Sequence, residues 1–212
     1  MTFEKYPVKK QIILALIFTP LNILISYLST VFQFPFFIDM IFVYAASFFG
    51  LPCGIIVGVG TSLFNSIFVQ HTIKHSLYAI CCITGTIFTW LLITRYRDFE
   101  FKVMLSIRLM VLVFLSTIVI SLEGSLIYYF FFSNTVVQNE NSTVMFLIYT
   151  LVLQDFGLII SAFLARLPVN LFDKAIAVFC RVWILSSFKT LCKSLFLYCK
   201  KILILIYSLI RI

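Results

Sequence analysis

The sequence predicts an all-α, polytopic integral membrane protein with six transmembrane helices and a basic amphipathic C-terminal tail. Three observations carry that prediction. Hydrophobic residues make up 62% of the 212-residue chain and charged ones only 11%, with a mean hydropathy of +1.12. Soluble domains are near half apolar and about a quarter charged. The apolar runs are long and continuous, without the alternation of outer-membrane strands, so helices must satisfy the spanning backbone. The charges gather mainly where those runs end.

The net charge of +8 first suggests a polyanionic partner. No aromatic-interleaved basic patch on a polar surface accompanies it, so nucleic acid is excluded as a partner and anionic lipid headgroups are the expected counter-surface. The six cysteines lie in or beside apolar segments with no CxxC pair, which reads as small apolar packers. The N-terminal run lacks a small-residue cleavage site and is expected to be a retained helix.

In chain order, residues 1–10 form a basic cap. Helix one, about 11–31, aligns Ala15, Thr19, Asn22 and Ser26 on one stripe, which suits either packing within the chain or docking of another membrane protein. Helix two, about 36–49, opens after Pro35 with Asp39 in its first turn and breaks at Gly50, Pro52 and Gly54. Helix three, about 53–70, places Gly54, Gly58, Thr61 and Asn65 on one face, where a neighbouring backbone can approach closely. Helix four, about 77–94, follows an exposed segment holding His71, Lys74 and His75, and carries Trp90. Helix five, about 103–132, contains Arg108 and Glu123. After the polar segment 133–142, helix six is predicted over about 143–165, with Gln154 and Asp155 inside it.

Residues 1–166 are thus read as the membrane domain and 167–212 as the tail. In the tail Lys189, Lys193, Lys200 and Arg211 share one stripe, as in a helix lying on an anionic leaflet; a seventh span is the competing reading. Basic flanks concentrate on the N-terminal side of the membrane, and Lys74 is the exception. Both termini of this multi-pass cell-membrane protein are therefore expected in the cytoplasm.

Enzymatic signatures are missing. There is no phosphate-binding loop, HExxH or GxSxG, so no catalytic residue, metal or cofactor is assigned and the chain is not expected to be an enzyme. His71 and His75 have ligand spacing without a third ligand nearby, and read as a loop or interface pair. The informative residues are the acids within apolar segments, where a charge costs at least about 2.5 kcal/mol and marks function or pairing. One reading is an outward-opening pocket for a small-molecule substrate, lined by Asp39, Asn65, Glu123, Gln154, Trp90 and His71. The other is structural: Asp155 pairs with Arg108 and Asp39 only caps its helix.

The run Pro35, Ile38, Asp39, followed by Gly50, Leu51, Pro52, Gly54 and then Gly58, Gly60 and Asn65, resembles helices two and three of substrate-binding S-components of energy-coupling factor (ECF) transporters. Pro168 with Asp173 and Lys174 resembles the opening of a terminal helix in such proteins. This resemblance implies a six-helix subunit that captures a vitamin or similar micronutrient. It also implies two kinds of partner, a transmembrane coupling subunit and ATP-binding-cassette ATPases. In that family a pair of helix-one alanines four apart contacts the coupling subunit, and the matching positions here are Ala15 and Thr19. A membrane-embedded sensory or scaffold protein with a partner-binding basic tail is the alternative.

Overall fold

The computed structural model describes residues 7–32, 40–69, 71–94, 102–132 and 142–180. Every regular element among them is a helix: α1 (Val8–Val31), α2 (Ile41–Ser47), α3 (Leu51–Phe64), α4 (Ala79–Thr89), α5 (Lys102–Ile127), α6 (Ser142–Val152) and α7 (158–180). A 3-10 turn, Ile73–Tyr78, leads into α4, and π-helical turns extend α3, α4 and α5 over Asn65–Val69, Trp90–Thr94 and Tyr128–Phe132. Four helical stretches are long and apolar enough to cross a membrane: Val8–Ser29, Leu51–Val69, Ile73–Ile93 and Met104–Phe132. The chain is therefore compatible with a membrane protein, as its composition predicts. Asp39 and the stripe from Lys189 to Arg211 lie outside the described residues.

Helix direction follows from which residues meet. Asn22 donates through Nδ2 to Thr61 Oγ1 at 3.1 Å, and Asn65 through Nδ2 to Ser26 Oγ at 2.7 Å. Rising number meets rising number, so α1 and α3 are parallel. Against this pair α2 runs the other way: Ser47 lies at Gly54 and Val43 at Gly58. Thr86 at Gly54 and Cys82 at Gly58 make α4 antiparallel to α3. His75 against Phe132 and Thr84 bonded to Glu123 reverse α5 relative to α4. Arg166 against Gly124 and Asn170 bonded to Ser121 reverse α7 relative to α5. These six helices, α1 to α5 and α7, alternate, giving a basal end where α1 begins and a distal end where it finishes.

Small residues set the close approaches. A Cβ on Gly54 would fall 2.6 Å from Thr86 Cγ2 and 3.0 Å from the Ser47 backbone, and one on Gly58 2.7 Å from Cys82 Cβ. The elbow between α2 and α3 needs Gly50 for two reasons. Its φ of 155° suits glycine, and the Gln11 carboxamide occupies the space a side chain would take. Pro52 then opens α3, where a missing N–H costs nothing. Gly54→Leu is expected to cost about 3 kcal/mol, the upper range for overpacking, and to appear as a large fall in melting temperature in detergent. Unchanged melting would mean that α2, α3 and α4 do not pack as described.

The predicted sixth helix differs. α6 stops at Val152, and the amides of Asp155 and Phe156 bond the carbonyls of Val152 and Leu151 with Asp155 at φ 63°. That is a Schellman closure with aspartate in the left-handed position. α7 then begins beyond Gly157 and continues to residue 180 without interruption at 166, so the proposed division between 166 and 167 falls inside a helix. Its 23 residues span about 34 Å, whereas the 11 of α6 span about 16 Å, short of a ~30 Å hydrocarbon core.

Candidate functional site

The α1 stripe faces inward. Ala15 is 0% exposed, Thr19 Oγ1 donates to the Ala15 carbonyl at 2.8 Å and lies against Gly60, and Asn22 and Ser26 bond α3. The polar stripe thus finds its partners across the α1–α3 seam, with Ala15 buried there. Asn22, 0% exposed, also accepts from the Phe42 amide at 3.2 Å, giving the first turn of α2 a cap from another helix. Asn65 belongs to this seam, and its Oδ1 is buried with no hydrogen-bond partner.

The remaining predicted pocket residues do not converge. Trp90 follows Tyr78 by twelve residues, about 18 Å along the axis towards the basal end, while His71 is exposed at the distal end with φ 51°. Gln154 sits in the exposed turn after α6, and Asp155 beside it is exposed as well. Glu123 is the member placed inside. It lies nine residues before Phe132, about 14 Å from the end of that helix. Its Oε1 accepts from Thr84 at 2.7 Å, Oε2 is buried, and the Cys81 side chain also stands within hydrogen-bonding reach of the carboxyl.

A cluster not predicted as a site adjoins Glu123. Arg166 of α7 is 4% exposed. Its Nη2 donates to the Tyr78 hydroxyl at 3.3 Å, and its guanidinium carbon lies 5.2 Å from the centre of the Tyr128 ring, within cation–π range. Gly124 leaves the room: a Cβ there would come 3.2 Å from Nε and 3.3 Å from Cδ. Phe132 extends the aromatic surface, stacking on Tyr78 at 6.0 Å and meeting His75 at 5.0 Å. The groups come from the 3-10 turn that leads into α4, the end of α5 with its π-helical turn, and the first half of α7. All lie towards the distal end.

From Arg166 a polar track continues down α7. Asn170 Nδ2 donates to Ser121 Oγ at 2.9 Å, and Lys174 Nζ meets Asp173 Oδ2 at 2.5 Å with the two side chains 2% and 1% exposed. Both charges act electrostatically on the buried Tyr44 hydroxyl, which also faces Ser116. On the opposite side of α7, Leu164, Phe172 and Phe179 are exposed. The helix is polar inside and apolar outside. Its signal was in the spacing, since Arg166, Asn170, Asp173, Lys174 and Ala177 fall within one arc; read as a membrane flank, those charges seemed to belong to the tail.

Chemically, the distal cluster brings together a buried guanidinium, a carboxyl group bonded by Thr84 and several aromatic rings. That set can bind and orient a small solute. Among the described residues no three of His, Cys, Asp and Glu gather as a metal site, and the cysteines at 53, 81 and 82 are buried free thiols. Comparison of the chain with protein-family models, with curated proteins and with solved structures finds no match to any of them.

Proposed function

We propose that this protein is a substrate-capture subunit of an importer, of the kind the ECF S-component resemblance implies. It would bind a vitamin-like solute between α4, α5 and α7 and hand it on by reorienting against a separate coupling subunit powered by ATPases. The carrying observation is that Glu123 and Arg166 face other helices in the bundle interior instead of its apolar outer surface. Interior charge in a membrane protein is expensive and is kept chiefly for solute pathways or pairing.

In this reading the chain crosses the cell membrane six times, as the alternation requires: α2, seven residues and about 10 Å long, lies within the second crossing without spanning it alone, and α7, not 143–165, is the sixth. The basal end, carrying Lys9, Lys10 and Lys102, is cytoplasmic, and the distal end with Lys74 faces outward. The apolar outer face of α1, where Leu16, Ile17 and Leu24 are exposed, meets lipid.

Native mass spectrometry of the detergent-purified chain is expected to show a retained small organic molecule, lost in Glu123→Gln. In-cell cross-linking should add coupling-subunit and ATPase adducts. A chain that carries no small molecule, in cells whose uptake is unaffected by its deletion, would overturn the capture role.

A further inference from the structure

We propose that α6 is an outer-leaflet anchor: a half-length helix that does not cross the membrane and whose exposed apolar face is covered by lipid. This surface is distinct from the solute site. Its role holds whatever the protein carries and rests on the membrane orientation proposed above.

The first observation is where the ends of α6 can be. The bond between Asn170 and Ser121 fixes the antiparallel register of α7 with α5. Residue 158 lies twelve positions before Asn170 and Phe132 eleven after Ser121, so both stand about 17 Å nearer the distal end. α6 finishes at Val152, only five residues before α7 begins, and its C-terminal end is therefore distal too. Its 11 residues rise about 16 Å, roughly half of a ~30 Å hydrocarbon core. Whatever its tilt, α6 stays in the outer half, the placement expected of an interfacial or re-entrant segment of this length.

The second is the contrast between its two faces. Val144 and Ile148 are 0% and 1% exposed and belong to the hydrophobic core, with Leu151 packed against it. At about 100° per residue Phe146, Tyr149 and Leu153 fall on the opposite side, and they are 69%, 55% and 85% exposed. No charged residue occurs from Ser142 to Gln154. A face of this kind is badly suited to water. Thr150 on the same side donates through Oγ1 to the Phe146 carbonyl at 2.8 Å, so its hydroxyl is satisfied within the helix, as hydrocarbon requires. Polar groups return only at the closing turn, where Gln154 and Asp155 are exposed.

The third separates lipid from a second copy of the chain. Helices that pack against one another in membranes present small residues, as α3 does to α2 and α4 through Gly54 and Gly58. The exposed side of α6 presents large ones. At the same distal level Tyr129, Phe130 and Phe131 are exposed at the end of α5, so aromatic side chains face outward on two elements where the bilayer meets water, a belt position for such rings.

Quenching of tryptophan emission by brominated lipid tests the placement. The full chain, with Trp90→Phe and Trp183→Phe to clear its two tryptophans, is reconstituted in phosphatidylcholine vesicles carrying bromine near either the glycerol end or the methyl end of the acyl chains. Phe146→Trp and Tyr149→Trp should each lose most of their emission to the shallow bromine and little to the deep one or to aqueous iodide. Ile118→Trp, at an exposed position midway along the Met104–Phe132 stretch, should show the reverse order of the two lipids and serves as the reference. Loss to iodide at positions 146 and 149, greater loss to the deep bromine, or emission untouched by all three quenchers, as under a second copy of the chain, would overturn the anchor. If a tryptophan variant does not fold, the unaltered chain is photolysed in phosphatidylcholine bearing an acyl-chain diazirine, and adducts are expected on the peptide from Phe146 to Leu153. Adducts on the Met104–Phe132 stretch with none on that peptide would count equally against it. An Ile118→Trp reference that neither lipid quenches would remove the membrane crossing and the anchor with it. With the reference quenched, a small organic molecule retained in native mass spectrometry keeps solute capture standing whichever result α6 gives.

Discussion

Replacing Lys174 with methionine is expected to destabilise the protein by about 3–5 kcal/mol, the largest single-residue loss anticipated in the chain. The side chains of Lys174 and Asp173 are 2% and 1% exposed and meet at 2.5 Å. Methionine keeps most of the volume of lysine and removes the charge that Asp173 Oδ2 meets, in a space that solvates a carboxylate poorly. The residue must then take up a proton or draw in water, and either costs free energy. The double variant Asp173→Asn with Lys174→Met removes both charges and should be less damaging than the two single changes added together, because neighbours in one network do not act independently. Unfolding titrations in mixed micelles would measure all three. A Lys174→Met loss under about 1 kcal/mol would mean that the pair is hydrated and that α7 does not pack against α2 and α5.

The same pair shows where sequence reasoning succeeds and where it stops. The two faces of the α1–α3 seam were legible, because Ala15, Thr19, Asn22 and Ser26 share a stripe and so do Gly54, Gly58, Thr61 and Asn65, but not that they meet each other. Two small-and-polar faces in helices of like direction have few other ways to satisfy their side chains. The elbow was legible for a similar reason: Gly50 and Pro52 each have a narrow backbone role. α7 was not. Counting basic residues by position assigns any lysine or arginine after a long apolar run to the membrane surface, and this rule has no means of recognising a helix whose charges point inward. The end of α6 was hidden by chemistry of another sort, since a left-handed closing residue is usually glycine and here it is Asp155. The aromatic cluster around Arg166 joins residues separated by 88 positions and has no local signature at all.

The course of the chain after α5 admits a test with an all-or-none outcome. If residues 143–165 formed the sixth crossing, position 154 would lie in the hydrocarbon, closed to a charged reagent. In the fold described, Gln154 is exposed in the turn that precedes α7, and the antiparallel register of α7 with α5 puts the start of α7 level with Phe132, at the distal end. A cysteine at that position should therefore react with a membrane-impermeant maleimide added to intact cells. Lys74→Cys, at the same end, should react likewise, and Lys9→Cys only after the membrane is opened. Labelling is read against the parent chain, whose cysteines at 53, 81 and 82 are buried. A Gln154→Cys variant that stays unlabelled while Lys74→Cys reacts would restore the longer helix six and return Arg166 to the opposite surface. Labelling of both from outside would fix Arg166 within the outer half of the bundle and settle the direction of α7.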